Sequence, residues 1–390
     1  MVFDKYDFEV LRLCGVCRYL PTGLMRKFDV SYFKSGVIGT LKDRGYIKTQ
    51  SDKLSYKLTK EGKRVLAEMG YIFPDDVRMN IKRQAYTRKL KNALWNVTLH
   101  LAGIDIFGEK TASLAGMKSG YISSLTIRAD EDQKVLAGTR FLGILKIKDS
   151  AYIPYFLSDE NEWIIPGYEN DTFISQIDSI KCIKIVNLIV TGNSLEKLWR
   201  CLYPEGEDSK LIHGQVRFNK ALEELGYDYL LIPSGRNGVF QMKILTSSRY
   251  RERLAEALGC TIERTPDGPV CDGIKNGNPY IIAVDLNINR IIRLLKRLKS
   301  YDANLVPRIC CLPFQKKTIY KLLKFYDMQK TRILTIDNES VMNIFAEIRT
   351  NCCKKEAYIT MEGKNVDANI QKSERKDDEE FEIDEDLESD

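Results

Sequence analysis

Apolar residues at near-helical spacing (Phe8, Leu11, Cys14 or Gly15, Leu20) predict an amphipathic helix over residues 4–20. The string LPTG interrupts it, and Thr22 is placed to cap a short second helix from Gly23 to Phe28. Asp29 or Ser31 suits the cap of a third helix ending near Arg44, where Gly45 fits a left-handed terminus. Tyr46 and Ile47, then Leu54, Tyr56 and Leu58, flank the polar turn Ser51-Asp52-Lys53, which reads as a hairpin. Thr59 can cap a further helix over KEGKRVLAEMG.

Three helices, a basic hairpin and another helix follow the order of a winged helix-turn-helix. The string LKDRGYIKTQ…YKLTKEGKRVL looks like that family throughout. On the third helix Phe33, Val37, Ile38 and Leu41 share one arc and are expected to pack inward. Tyr32, Ser35, Gly39 and Lys42 lie largely opposite, where a recognition helix meets the major groove. Gly36 and Gly39 each cost roughly 1 kcal/mol relative to alanine inside a helix. Close approach to DNA and tight helix–helix packing are the two reasons for tolerating them. Arg44 and the hairpin lysines Lys48, Lys53 and Lys57 are placed to meet phosphates, which positions a duplex without reading its sequence.

After Pro74 the segment DDVRMNIKRQAYTRKLKNALWNVTLHLAGI resumes a helical pattern, strongly basic on one side. Arg83 and Arg88 there extend the candidate phosphate surface; Leu90, Leu94, Val97, Leu99 and Leu101 supply an apolar side. A dimerisation helix is the alternative role for this segment. His100 reads as a satisfied structural histidine rather than a base.

From Tyr121 the texture becomes short apolar runs between polar turns. TRFLGILKI and AYIPYFLSD predict a strand pair, and IKCIKIVNLIV a buried strand followed by the helix NSLEKLWRCLY. YDYLLIPS and VFQMKILT are expected as strands, and SSRYRERLAEALG as a helix with its basic residues exposed. ANLVPRICCLPF, KKTIYKLLKFYD and TRILTID give strand, helix and strand. The alternation predicts an α/β (α+β) chain: a winged helix-turn-helix domain (1–72), a basic helical connector (73–118), a mixed-sheet α/β domain (119–350) and a disordered acidic tail (351–390).

Charge adds a partner to this picture. The net charge of +6 hides a final block, DDEEFEIDEDLESD, with ten acidic groups, so residues 1–376 carry +16. Residues 1–92 hold 20 Lys/Arg against 10 Asp/Glu, a skew that favours a polyanion through counterion release. Autoinhibition is one role for the acidic tail, as an intramolecular competitor with DNA; plain solubilisation is the other. No run of about 18 apolar residues marks a membrane span, and the start MVFDKYDFEV lacks the basic-then-apolar form of a secretion signal. The expectation is a cytoplasmic protein with no membrane partner. The ten cysteines include Cys14-x-x-Cys17 and the adjacent pairs Cys310/Cys311 and Cys352/Cys353. Cys14-x-x-Cys17 lies inside a strongly helical stretch with no second CxxC, and the adjacent pairs lack the two-residue separation of a zinc knuckle, so reduced thiols and no metal are expected. G-x-G-x-x-G, G-x-x-x-x-G-K-[ST] and G-x-S-x-G are all missing, which removes support for those nucleotide-binding and hydrolase classes.

The stretch VCDGIKNGNPYIIAVDLN holds the only candidate catalytic group. Asp272 sits beside a turn, and the apolar strand Tyr280 to Val284 delivers Asp285 at its end. A metal-dependent nuclease holds Mg²⁺ on two such carboxylates and adds a lysine to stabilise charge on phosphate. Asn287 stands where that lysine is wanted. The helix RIIRLLKRLKSY follows, with Ile291, Leu294, Leu295 and Leu298 expected inward and Arg290, Arg293 and Arg297 outward.

The chain as a whole resembles the replication-relaxation family of plasmids and integrative conjugative elements. The resemblance rests on the N-terminal module, Asp272-Gly273, the strand Tyr280 to Asp285, Arg290 and Tyr301. The segment GTRFLGILKIKDSAYIPYFLSD also looks like proteins of Firmicute conjugative transposons. It implies a winged helix before a domain similar to the restriction-nuclease fold, and DNA binding in replication, relaxation or transfer. Ala283-Val284-Asp285 departs from the family's acid-x-acid, which weakens any transfer of catalysis. The leading expectation is a non-catalytic protein that binds double-stranded DNA, needs no cofactor and works beside relaxase or replication proteins, with a homodimer open. The alternatives are a Mg²⁺-dependent nuclease using Asp272 and Asp285, and a protein-interaction scaffold using the winged helix.

Overall fold

The computed structural model describes residues 2–30, 33–73, 83–107, 119–129, 141–157, 164–166, 185–203, 215–217, 220, 228–262, 270–301, 305–346, 357–360 and 365–367. The first module runs β1 (Val2–Asp4), α1 (Lys5–Cys17), β2 (Leu20–Pro21), α2 (Leu24–Phe28), α3 (Ser35–Asp43), β3 (Ile47–Thr49), β4 (Ser55–Leu58) and α4 (Lys60–Glu68). Strands β2, β4 and β3 form an antiparallel sheet in that spatial order. Thr59 caps α4 as its position predicts, accepting from the Gly62 amide at 3.1 Å. The other two expected caps are not used. Helix α2 starts from left-handed Gly23, while the Thr22 hydroxyl donates to the Lys53 and Leu54 carbonyls at 3.1 and 3.3 Å. Helix α3 starts later than Asp29 or Ser31, after Lys34, with no side-chain cap. Thr22 thus spends its hydroxyl on fixing the β3–β4 turn to the loop before α2.

Helix α5 (Arg83–Leu101) follows. Its second half is buried on nearly every side, with Ala93, Trp95, Asn96, Val97, Thr98 and Leu99 enclosed, so it is a central core element as well as a connection.

The larger unit continues with β5 (Ser119–Ser123), α6 (Ser124–Ala129), β6 (Gly143–Ile147), β7 (Ser150–Phe156), β8 (Ile164–Pro166), β9 (Ile185–Gly192), α7 (Leu195–Leu202), β10 (Gln215–Arg217), β11 (Tyr229–Pro233) and α8 (Arg236–Thr246). A five-stranded sheet has the order β11-β9-β7-β6-β5, parallel across β11, β9 and β7 and antiparallel beyond. Strands β8 and β10 pair separately. Then come α9 (Tyr250–Ala257), β12 (Gly273–Lys275), β13 (Asn278–Ile282), α10 (Ile288–Tyr301), β14 (Arg308–Cys311), α11 (Lys316–Phe325), β15 (Arg332–Thr335) and α12 (Asn338–Ile344). Strands β12-β13-β14-β15 form a second mixed sheet, antiparallel at β12 and parallel after it. The chain is therefore mixed α/β.

The continuous apolar strands are explained by burial on both faces. In β11, Tyr229 and Leu231 enter a core shared with α7, α10 and α11, while Leu230 and Ile232 enter one shared with α5 and the N-terminal module. In the second sheet Ile281 and Ile309 face the first of these cores, while Ile282 and Cys310 face a third beneath α9 and α12. Adjacent Cys310 and Cys311 thus point to opposite faces, which is why such a pair cannot act together on one metal. The seven cysteines whose side chains are described are all buried, and burial pushes the Cys17 thiol up to about 12.

Three expectations need correction. VFQMKILT is not a strand but most of α8. Gly235 and Gly238 open that helix, and Gln241, Met242 and Leu245 recur on its buried side, so the β-branched letters were the weaker signal. Arg290 does not face outward; it is buried among the apolar residues of α10. The region from 351 onward is not wholly tail: β16 (Ala357–Thr360) pairs antiparallel with β1 and with β17 (Asn365–Asp367). The acid block 377–390 lies outside the described residues.

Candidate functional site

Two regions gather the residues singled out in the sequence. The first is the surface formed by α3 and the β3–β4 hairpin. Phe33, Ile38 and Leu41 are buried and Val37 half-buried, as the helical arc predicts, leaving Gly36 and Lys42 exposed and Gly39 partly so. Arg44, Lys48 and Lys53 are exposed along the same stretch of chain. Among the described residues a Cβ built at Gly36 or Gly39 would meet nothing beyond its own helix within 4 Å, so packing against the described chain does not account for either glycine.

The hairpin is firmly held. Lys53 sits at its turn with φ 57°, and Asp52 accepts from the Leu54 amide at 3.0 Å. Tyr86 on α5 hydrogen-bonds Ser55 at 2.7 Å and donates to Asp52 at 3.3 Å, tying the hairpin to α5. Lys57 is placed differently from the other lysines. It is half-buried, donates to the Tyr19 hydroxyl at 3.3 Å and covers the Tyr19 ring, with Lys89 also over that ring. Arg88 is exposed on α5. Tyr32 and the side chains of Ser35 and Arg83 lie outside the described residues. His100 approaches Glu9 at 3.3 Å and meets Phe107 edge-on, a structural setting for an imidazole.

The second region surrounds Asp272, Asp285 and Asn287, at the meeting of the two large sheets. Leu230 of β11 bridges Asn287, and the Leu231 amide donates to the Leu286 carbonyl at 3.2 Å. Asp285 is fully buried. Its carboxylate accepts from Tyr250 at 2.7 Å, from Arg251 Nε at 3.1 Å and from the Asn287 amide at 3.2 Å. Its carbonyl takes a hydrogen bond from Gln241 of α8 at 3.0 Å. Asp272 accepts from the Ile282 amide at 2.7 Å and pairs with Arg290, whose guanidinium also donates to the Ile282 carbonyl at 3.2 Å. Asn287 is the N-cap of α10: its Oδ1 accepts from the Arg290 amide at 3.0 Å while its Nδ2 donates to Asp228 at 3.0 Å. Arg293 reaches the same Asp228 at 3.1 Å. A lysine has no acceptor and would lose the cap, which supplies a structural reason for asparagine here.

This donor set does not fit a Mg²⁺ site. Each aspartate serves one guanidinium, and its remaining capacity goes largely to backbone amides and the Tyr250 hydroxyl. Among the described residues no group of three or more His, Cys, Asp or Glu gathers as metal ligands. Tyr250, Arg251, Gln241 and Asp228 carry the network yet had no local signal in the sequence, because they lie 34 to 59 residues from their partners.

Burial alone would raise the Asp285 carboxyl, but the charges of Arg251 and Arg290 and the hydrogen bonds from Arg251 and Tyr250 outweigh it and hold the group low. A depressed carboxylate contributes stability above its unfolded value, about 3.9, and loses that contribution as pH falls through the folded value. Acid titration followed by near-ultraviolet circular dichroism is expected to show wild-type stability falling more steeply with decreasing pH than that of Asp285→Asn, which lacks the titrating carboxyl. A wild type and a variant with the same pH slope below pH 5 would contradict this linkage.

Comparison with known protein families, curated proteins and solved structures returns no match. Among the described residues no helix is long and apolar enough to cross a membrane.

Proposed function

We propose that the chain is a non-catalytic, double-stranded DNA-binding protein whose N-terminal module is a winged helix-turn-helix, with α3 as recognition helix and β3–β4 as wing. The observation that carries this reading is the open face of α3. Among the described residues nothing beyond the helix itself comes within 4 Å of a Cβ built at either glycine there, and Lys42, Arg44, Lys48 and Lys53 are exposed around them. A helix that gives up about 1 kcal/mol per glycine without using the space internally keeps that space for something outside. A duplex fits, since cations beside a close-approaching backbone are what phosphates require. The resemblance to the replication-relaxation family supports reading such binding as part of plasmid replication, relaxation or conjugative transfer. The arginine pairing of Asp272 and Asp285 supports a structural rather than nucleolytic role for the second domain, whose likeness to the restriction-nuclease fold is part of this proposal.

Gly39→Ala separates the two reasons for a glycine. No atom obstructs the new methyl group, so the variant is expected to be about 0.5–1 kcal/mol more stable in urea unfolding. The same variant is expected to bind duplex DNA less tightly by fluorescence anisotropy at about 50 mM salt. Equal or tighter DNA binding by the stabilised variant, or no binding by the wild type, would sink the reading.

A further inference from the structure

Strands β9 and β11 run parallel and end side by side, at Gly192 and Pro233. Beyond them opens a cleft of about 510 Å³, the size of a small-ligand site. The sequence at both strand ends is small and polar: Gly192-Asn193-Ser194 leads into α7, and Ser234-Gly235 leads into α8. The cleft lies where open α/β sheets bind ligands, outside the carboxyl ends of parallel strands. The first turns of α7, α8 and α11 all border it, through Ser194, Arg236 and Thr318.

Charge makes the cleft specific. Lys27, Arg236, Lys317 and Lys321 line it against one carboxylate, Glu196. Glu196 is already engaged by Lys317 at 3.4 Å and Arg200 at 3.3 Å. Arg236 meets Asp29 at 3.1 Å in an exposed pair, which binds it weakly. Lys27 reaches over from α2 and donates to Asn193 at 3.0 Å. Burial, with the Lys197 ammonium nearby, holds Lys27 below the ordinary lysine range, so its charge is short of a counter-ion. Gly235 is suited to its place twice over. Its φ of 109° disfavours a side chain, and a Cβ there would sit 3.3 Å from Lys27 Cγ. It also brings no side chain to cap α8, which leaves the helix's first amides without a side-chain partner beside the cleft that Gly235, Arg236 and Asn237 line. Trp199 and Phe314 supply an apolar wall.

We infer that this cleft binds a phosphate-bearing ligand of nucleotide size, with Lys27, Lys321 and the α8 N-terminus on the phosphate and the Trp199 side on the rest. The site is separate from the α3 face and does not depend on the DNA-binding reading. Because Lys27 belongs to the N-terminal module and the other groups to the α/β unit, the ligand bridges the two.

The test is equilibrium binding to the full chain by calorimetry, with Trp fluorescence as a second readout. The probes are ADP, inorganic pyrophosphate, adenosine and a 5′-phosphorylated oligonucleotide of a few bases. ADP and pyrophosphate are expected to bind and adenosine to fail, and Lys27→Ala/Lys321→Ala to weaken binding at least tenfold with unchanged thermal melting. Binding of the phosphorylated oligonucleotide in place of ADP, lost in the same variant, supports the site and assigns its phosphate to a nucleic-acid end. Lys299→Ala, an exposed lysine of α10 outside the cleft, serves as a control that leaves the probe affinity unchanged. No binding of any phosphate probe at millimolar concentration overturns the inference. So does binding that Lys27→Ala/Lys321→Ala leaves intact.

Discussion

Arg290→Ala is expected to destabilise the protein by about 3–5 kcal/mol, because it leaves Asp272 charged and buried without its partner. Both side chains are about nine-tenths enclosed, at 11% and 8% exposure, so water cannot replace the lost guanidinium. The same side chain closes the Ile282 carbonyl, so β13 loses an end anchor as well. The magnitude separates two accounts of the pair. If Asp272 were a metal ligand merely parked against an arginine, removing the cation would free a carboxylate for Mg²⁺, and added Mg²⁺ would restore stability. On the structural account Mg²⁺ restores nothing, while Asp272→Asn added to Arg290→Ala recovers part of the loss by removing the stranded charge. Urea unfolding of the two variants with and without Mg²⁺ decides between them. A loss below about 1 kcal/mol for Arg290→Ala would mean that the pair is not what holds this corner together.

The sequence disclosed most where one periodicity was uninterrupted and least where meaning lay in distant partners. Helices α1, α3 and α4 and the hairpin follow from apolar spacing, Gly45 and Thr59, all local signals. The strands β7, β9, β11, β13 and β14 announce themselves as apolar runs, yet the runs alone do not say that alternate residues enter different cores. Helix α8 was hidden because Val239, Phe240 and Ile244 resemble a strand when Gly235 and Gly238 are not counted as its start. That misreading also concealed the cleft, which needs a helix rather than a strand after Ser234. For Asp285 the sequence gives the strand end, but nothing near it foretells Arg251 and Tyr250. Arg290 was misplaced because a charged residue on an amphipathic helix is ordinarily solvated, and only a buried partner reverses that preference. Asn287 looked like a lost catalytic lysine and is explained by the cap it gives α10.

The triple variant Lys42→Ala/Lys48→Ala/Lys53→Ala is expected to lose most of its affinity for duplex DNA while keeping its fold. All three side chains are exposed, so their removal leaves no buried partner stranded, and each change is worth little to stability. Their value lies in phosphate neutralisation. Each phosphate contact contributes about −0.9 to the slope of log affinity against log salt, so three contacts contribute about −2.7. The advantage of the wild type over the variant should accordingly shrink roughly 40-fold between about 50 and 200 mM salt. Lys57 is left in place because it is committed to Tyr19, and Lys57→Ala would mix a binding effect with a packing one.

The most direct measurement is the salt dependence of duplex DNA binding by the full-length wild type and this triple variant, followed by fluorescence anisotropy. The account predicts a measurably steep wild-type slope and a variant slope shallower by about three contacts. Two parallel slopes, or a wild type that binds no duplex at about 50 mM salt, would contradict it.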